Sequence, residues 1–220
     1  MTVDQQKNLV IIDYDAGNIK SVETAVRLLK PEDMRILVTD DPEEILRADR
    51  VILPGVGAFG DAMSKLNTHG LDTAIRQVID RQVPFLGICL GLQLLFESSE
   101  ESPGVDGLSV LQGRIRRLPD GEGRKVPQIG WNRLEFPRSG RFFDDNLLQN
   151  AAAVTGEPYA YFVHSYYLEA SDSSIVSATC EYGVTVHAAV EKGNLFACQF
   201  HPEKSGPFGL SLLHHFINHL

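Results

Sequence analysis

Short apolar runs alternate with helix-patterned stretches over the first hundred residues, and few folds satisfy that alternation. Leu9-Val10-Ile11-Ile12 reads as a buried strand, and Ile36-Leu37-Val38, Val51-Ile52-Leu53 and Pro84-Phe85-Leu86-Gly87-Ile88 read as three more. Unbroken apolar runs of this length suit strands that are covered on both faces. Between the first two, Ile19, Val22, Val26 and Leu29 fall at helical spacing over 18–29. Lys30-Pro31 stops that helix, because proline disfavours the helical conformation in the residue before it. A further helix is expected over 71–81, and an amphipathic one from Leu90. Repeated strand–helix–strand order gives right-handed βαβ units and a mostly parallel sheet with helices on both faces.

After Ser98 the texture changes. Gly104, Gly107, Gly113, Gly121, Gly123 and Gly130 punctuate a stretch with short strand candidates at 114–118 and 133–136. Partly alternating β-rich segments follow at 159–164, 175–180, 185–190 and 195–200. A last helix over 209–220 carries Leu210, Leu213, Phe216, Ile217 and Leu220 on one face. No repeat or Pro/Ser-rich linker divides the chain, so the expectation is a single α/β domain over 1–220 with a β-rich C-terminal half.

Charge and cysteine usage narrow the function classes. Lys+Arg number 20 against 29 Asp+Glu, a formal charge of −9, which argues against a general binder of nucleic acid or acidic membranes. Three cysteines, none at C-x-x-C spacing, give neither a disulfide framework nor a zinc or redox pair. The polar opening and the four-residue apolar run at 9–12 fit no signal peptide or membrane span, so a cytoplasmic protein is expected.

The sharpest chemical signal is Gly87-Ile88-Cys89-Leu90-Gly91, where a strand hands over to a helix. It is the G-x-S-x-G elbow with cysteine in the nucleophile position. The glycines permit a turn too tight for side chains, which lifts the sulfur clear of the sheet's C-terminal edge, where open α/β sheets bind ligands. Most free cysteines are small buried hydrophobes, and Cys180 and Cys198, inside strand candidates without such flanks, keep that ordinary reading. A cysteine nucleophile needs a base and the base an orienter. Phe200-His201-Pro202-Glu203 supplies both: on extended chain His201 and Glu203 project to the same side. Pro54-Gly55-Val56-Gly57, directly after a strand, brings backbone donors to the same edge. The N–H groups of Val56 and Leu90 are candidates for an oxyanion hole, a device whose loss typically costs roughly 10²–10³ in rate. No dinucleotide or P-loop fingerprint is present.

These pieces, in this order, resemble a class I (triad-type) glutamine amidotransferase. More closely, the chain resembles the HisH family, the glutaminase subunits of imidazole glycerol phosphate synthase. The resemblance spans essentially the whole chain and rests on Asp13-Tyr14-Asp15-Ala16-Gly17-Asn18, Pro54-Gly55-Val56-Gly57-Ala58-Phe59, Gly87-Ile88-Cys89-Leu90-Gly91-Leu92-Gln93, Gly130-Trp131-Asn132, Phe162-Val163-His164-Ser165-Tyr166 and Phe200-His201-Pro202-Glu203-Lys204-Ser205-Gly206. It implies a flavodoxin-like α/β fold, Cys89 as nucleophile, His201 as general base and acid, and Glu203 as its orienter. It implies a glutamine pocket formed with Gly57, Gln93, Glu101, Ser165 and Tyr166, and no metal or organic cofactor. The bland reading of Glu101 is a solvated acidic run over 97–101. His214, His215 and His219 on the last helix read as solvated helix rather than a metal site. The implied partner is a HisF-type (β/α)₈-barrel cyclase, forming a heterodimer in which ammonia from glutamine is channelled into imidazole glycerol phosphate and AICAR, in histidine biosynthesis. A pyridoxal phosphate or anthranilate type synthase is an alternative user of the same chemistry, and a non-catalytic interaction subunit on the same fold is the alternative class. Two positions depart from the family pattern: Asp15, where glycine is usual, and Gln128, where histidine is usual.

Overall fold

The computed structural model describes residues 7–121, 124–149 and 157–220. In chain order its strands are β1 (Lys7–Ile12), β2 (Met34–Thr39), β3 (Arg50–Leu53), β4 (Phe85–Ile88), β5 (Ser98–Ser99), β6 (Gly113–Arg117), β7 (Gln128–Arg133), β8 (Tyr159–His164), β9 (Tyr166–Ala170), β10 (Val176–Glu181), β11 (Thr185–Lys192) and β12 (Leu195–Cys198). Seven of them form the central sheet in the order β10-β11-β12-β4-β3-β1-β2. The five strands from β12 to β2 pair in parallel, with Ala197 beside Gly87, Ile52 beside Leu86 and Val10 beside Val51; β11 and β10 add an antiparallel edge. Successive side chains of a strand point to opposite faces. Leu9 and Ile11 accordingly belong to one apolar cluster and Val10 and Ile12 to the other.

Each face is closed by helices of the expected amphipathic kind. α1 (Ile19–Leu29) and the C-terminal helix (Gly206–His219) cover one, through Val22, Val26, Leu212, Leu213 and Phe216. α2 (Pro42–Leu46), α3 (Phe59–Thr68) and α4 (Leu71–Asp80) cover the other, through Ile45, Leu66, Ile75 and Val78. α2 starts as its sequence dictates: the Asp41 side chain accepts from the Glu43 N–H and Pro42 occupies the first turn.

Two expectations are corrected. The helix after the elbow, α5 (Leu90–Leu94), has only five residues, all buried, so it is neither long nor amphipathic. Its continuation is pre-empted: the Leu94 carbonyl accepts from Leu108 and the Leu95 carbonyl from Val110 and Leu111. The strand read at 133–136 lies earlier, as β7, with Glu135 keeping only an isolated bridge to Thr179. Helices α2 and α3 and strands β5 and β9 went unread, although Phe59, Ala62, Met63 and Leu66 of α3 fall at helical spacing. Beyond the central sheet, β6 pairs with β5 and β9, and β7 pairs with β8 as a two-stranded ribbon.

Candidate active site

Cys89 stands between β4 and α5 with φ 55° and ψ −106°, a conformation that non-glycine residues rarely adopt and that nucleophile elbows require. The turn is held on both sides. The Cys89 N–H donates to the Cys198 carbonyl at 2.8 Å, and its own carbonyl accepts from Leu92 and Gln93. Both flanking glycines are steric necessities: a Cβ on Gly91 would collide with the Leu53 carbonyl, and one on Gly87 would lie 2.9 Å from the Gly91 oxygen.

β12, hydrogen-bonded beside β4, delivers His201. The His201 N–H donates to the Tyr161 carbonyl and its carbonyl accepts from the Ser205 hydroxyl, fixing the backbone. Nδ1 lies 2.8 Å from Glu203 Oε1. The expected pairing is therefore made, but its geometry differs from an extended chain: Pro202–Lys204 is a 3₁₀ turn that folds the carboxylate back onto the ring. Asn18, in a left-handed conformation ahead of α1, donates its Nδ2 to the same oxygen at 2.7 Å. With Nδ1 protonated against Glu203, the second imidazole nitrogen faces inward, buried and unpaired within the protein. Burial opposes charge on this ring, but the neighbouring Cys89 sulfur and the hydrogen-bonded Glu203 carboxylate outweigh it, and the His201 pKa is raised to about 9. Glu203 is also pushed upward by burial, yet the His201 and Asn18 contacts prevail and hold it below the usual carboxylate value.

In front of the sulfur opens a cavity of about 310 Å³, of a size for a small metabolite. Val56, Gly57, Leu90, Gln93, Glu101, Ser165 and Tyr166 all line it with Cys89. Several are tied to structure as well. Glu101 accepts from the Phe59 N–H at 2.8 Å, closing the first turn of α3, where Ala58 has no capping side chain. Gln93 donates to the Tyr166 carbonyl at 2.9 Å. The Leu90 N–H donates to the Gly55 carbonyl at 3.2 Å, so in this state it is engaged. Gly55 admits the Tyr14 hydroxyl, which a Cβ there would exclude. Burial, then the neighbouring Cys89, pushes that phenol upward.

Asn18, His164 and Gln199 were not read as site residues. His164 lines the cavity, its Nδ1 2.9 Å from the Tyr166 carbonyl. Asn18 was visible only as part of a motif, and nothing in the local sequence links it to a carboxylate 185 residues away. The two departures sit apart from the triad. Asp15 is exposed with φ 59°, a left-handed value that explains why glycine suits the position, and it pairs with Lys65. Gln128 is buried on β7 opposite His164. The other cysteines behave as inert core: burial pushes the Cys180 thiol up to about 12 and that of Cys198 well above its ordinary value. A larger concavity of about 1030 Å³ beside the C-terminal helix is lined by His214, His215 and His219 and contains none of these groups. Among the described residues no group of three or more His, Cys, Asp or Glu is arranged to hold a metal ion, and no helix is long and apolar enough to cross a membrane.

The chain is similar to known proteins over nearly its whole length. The family described as "Glutamine amidotransferase class-I" matches residues 10–220. The chain is 50% identical over 209 residues, 94% of its length and 93% of the relative's, to the imidazole glycerol phosphate synthase subunit HisH of Moorella thermoacetica. It is 44% identical over 212 residues to the chloroplastic imidazole glycerol phosphate synthase hisHF of Arabidopsis thaliana, covering 96% of this chain and 34% of that protein. Among solved structures, one described as a glutamine amidotransferase superposes with a TM-score of 0.68 over 94% of this chain and 96% of its own, at 18% identity, a likeness of fold. With an elbow cysteine beside a carboxylate-held imidazole, and with relatives this similar over nearly its whole length, the chain belongs to the class I glutamine amidotransferases, in the HisH family.

Proposed function

We propose that the chain is the glutaminase half of an imidazole glycerol phosphate synthase and that Cys89, His201 and Glu203 carry the reaction. The observation that carries this reading is a cysteine on a strained elbow, opening on a cavity beside an imidazole whose far nitrogen is held by Glu203. The Cys89 thiolate attacks the side-chain amide carbon of glutamine, forming a C–S bond. His201 gives its Nε2 proton to the amide nitrogen as the C–N bond breaks, releasing ammonia and leaving a γ-glutamyl thioester. His201 then takes a proton from water, the resulting C–O bond displaces the sulfur, and glutamate leaves. Gln93, Glu101, Ser165, Tyr166 and Gly57 hold the amino-acid end, the Glu101 carboxylate suiting an ammonium. Val56 and Leu90 N–H groups receive the oxyanion. For Leu90 this requires exchange of its bond to the Gly55 carbonyl, so full activity awaits a shift of that segment.

Ammonia released into water at neutral pH is mostly ammonium and no longer nucleophilic, so its use calls for a sheltered route to an acceptor site. We place that site on a (β/α)₈-barrel cyclase, bound as a heterodimer in the cytoplasm, with the 220 residues forming one amidotransferase domain. Two observations support a covering partner. Ile129, Trp131 and Tyr159, exposed at 64%, 56% and 44%, all lie on the β7–β8 ribbon whose Tyr161 carbonyl holds His201. The hisHF relative is a single longer protein of which this chain covers 34%, leaving room for a second activity in one polypeptide.

The test is glutamate release with and without the cyclase and its ribotide, using wild type and Cys89→Ala. Strong stimulation by the cyclase is expected. Cys89→Ala should cut glutamine-dependent synthesis by roughly 10⁴ or more while ammonia-dependent synthesis survives. Equal loss of both activities overturns the proposed division of labour.

A further inference from the structure

Gln199 directly follows β12, two residues before His201, and is fully buried, yet the reaction above gives it no task. Its orientation is dictated by a group that has no choice. The Tyr166 carbonyl can only accept, so Gln93 turns its Nε2 toward it at 2.9 Å. The same nitrogen donates to Gln199 Oε1 at 3.0 Å. The Gln199 amide must then face the other way, and its Nε2 lies 3.7 Å from Cys89 Sγ. Turning that amide over would set two NH₂ groups against each other and an oxygen against the sulfur. The sulfur therefore meets a donor that cannot become an acceptor unless the Gln93–Gln199 or the Gln93–Tyr166 bond breaks.

We propose that the Gln199 side-chain amide is a catalytic hydrogen-bond donor to the Cys89 sulfur, with Gln93 as the positioning residue that locks its orientation. A fixed N–H in a water-poor setting favours negative charge on sulfur over the neutral thiol. The bond thus acts twice: when the thiolate waits for substrate, and when the C–S bond of the thioester breaks and the electron pair returns to sulfur. The inference rests on the reading of Cys89 as nucleophile.

The experiment is alkylation of Cys89 by iodoacetamide, a C–S bond replacing C–I with loss of iodide, in the full chain with its cyclase partner. Rates are followed from about pH 5 to about pH 10 for wild type, Gln199→Leu and Gln199→Met. Both variants remove the donor and leave the neighbouring titratable groups His201, Tyr14 and Cys198 in place. Below neutrality both should react roughly tenfold more slowly than wild type, the effect of one hydrogen bond to an ionised group, and the curves should converge at alkaline pH. An unchanged curve, or slowing by one factor at all pH values, overturns the proposal. An unreactive wild-type Cys89 overturns the nucleophile reading itself. If neither variant folds, side-chain amide NMR decides. The Gln199 NH₂ signals should move between wild type and Cys89→Ala, and their failure to move overturns the bond.

Discussion

His201 and His164 are both buried imidazoles, 0% and 6% exposed, one after the end of β12 in the parallel sheet and the other ending β8 on the two-stranded ribbon. Their surroundings drive them in opposite directions. Burial works against charge on each, but His201 meets the sulfur and the Glu203 carboxylate and is raised to about 9. His164 meets only the Tyr166 carbonyl, too little against its burial, and with the positive charge of His201 nearby it is lowered to about 4. Desolvation works against charge on both rings; it prevails at His164 and is overcome at His201 because of what each strand end places against the ring. The sheet edge builds an imidazole that favours its charged form. The ribbon builds an imidazole that stays neutral and serves as a hydrogen-bonding wall.

The comparison is broken most severely by removing the charge that separates the two rings. Glu203→Gln should make His201 resemble His164, dropping its NMR titration well below 9 and cutting kcat for glutamine hydrolysis by roughly 10²–10⁴. A near-normal kcat would mean that the carboxylate does not set the role of His201.

Next in size is acid sensitivity. His164 refuses a proton that the unfolded chain accepts below about pH 6.5, so stability falls as pH drops from 6.5 toward 4, by on the order of 3 kcal/mol. The sign is reversed for His201, whose raised value adds stability that is complete below about 6.5 and is lost as pH rises through 9. His164→Asn keeps a donor for the Tyr166 carbonyl but cannot titrate, so urea unfolding at two pH values should show the acid-side loss abolished. An undiminished loss would place the sensitivity elsewhere.

The smallest effect sharpens the picture on the sheet side. Asn18→Gly preserves the left-handed turn but removes the donor to Glu203. It should reduce kcat about tenfold with KM nearly unchanged, the worth of one hydrogen bond to a charged group. A change confined to KM would assign Asn18 to substrate binding instead.

What could be read in the sequence was what neighbours in the chain determine. Apolar runs set β1 to β4 because a doubly covered strand must be apolar on both faces, and paired glycines at 87 and 91 marked the elbow because no Cβ fits against the Leu53 and Gly91 backbone. His201 and Glu203 were legible for the same reason, two positions apart. The shortness of α5 was not, since residues 108–111 take its terminal carbonyls, and neither was the capping of α3 by Glu101.

Sequence alone pointed to the parallel strands, the elbow cysteine and the His201–Glu203 pair. Only the tertiary structure decided which of two buried histidines carries charge, which asparagine steadies the carboxylate, and which amide meets the sulfur. The last two choices depend on contacts between residues 185 and 110 positions apart, and hydrogen bonding and desolvation act on distance in space, which strand order and register create.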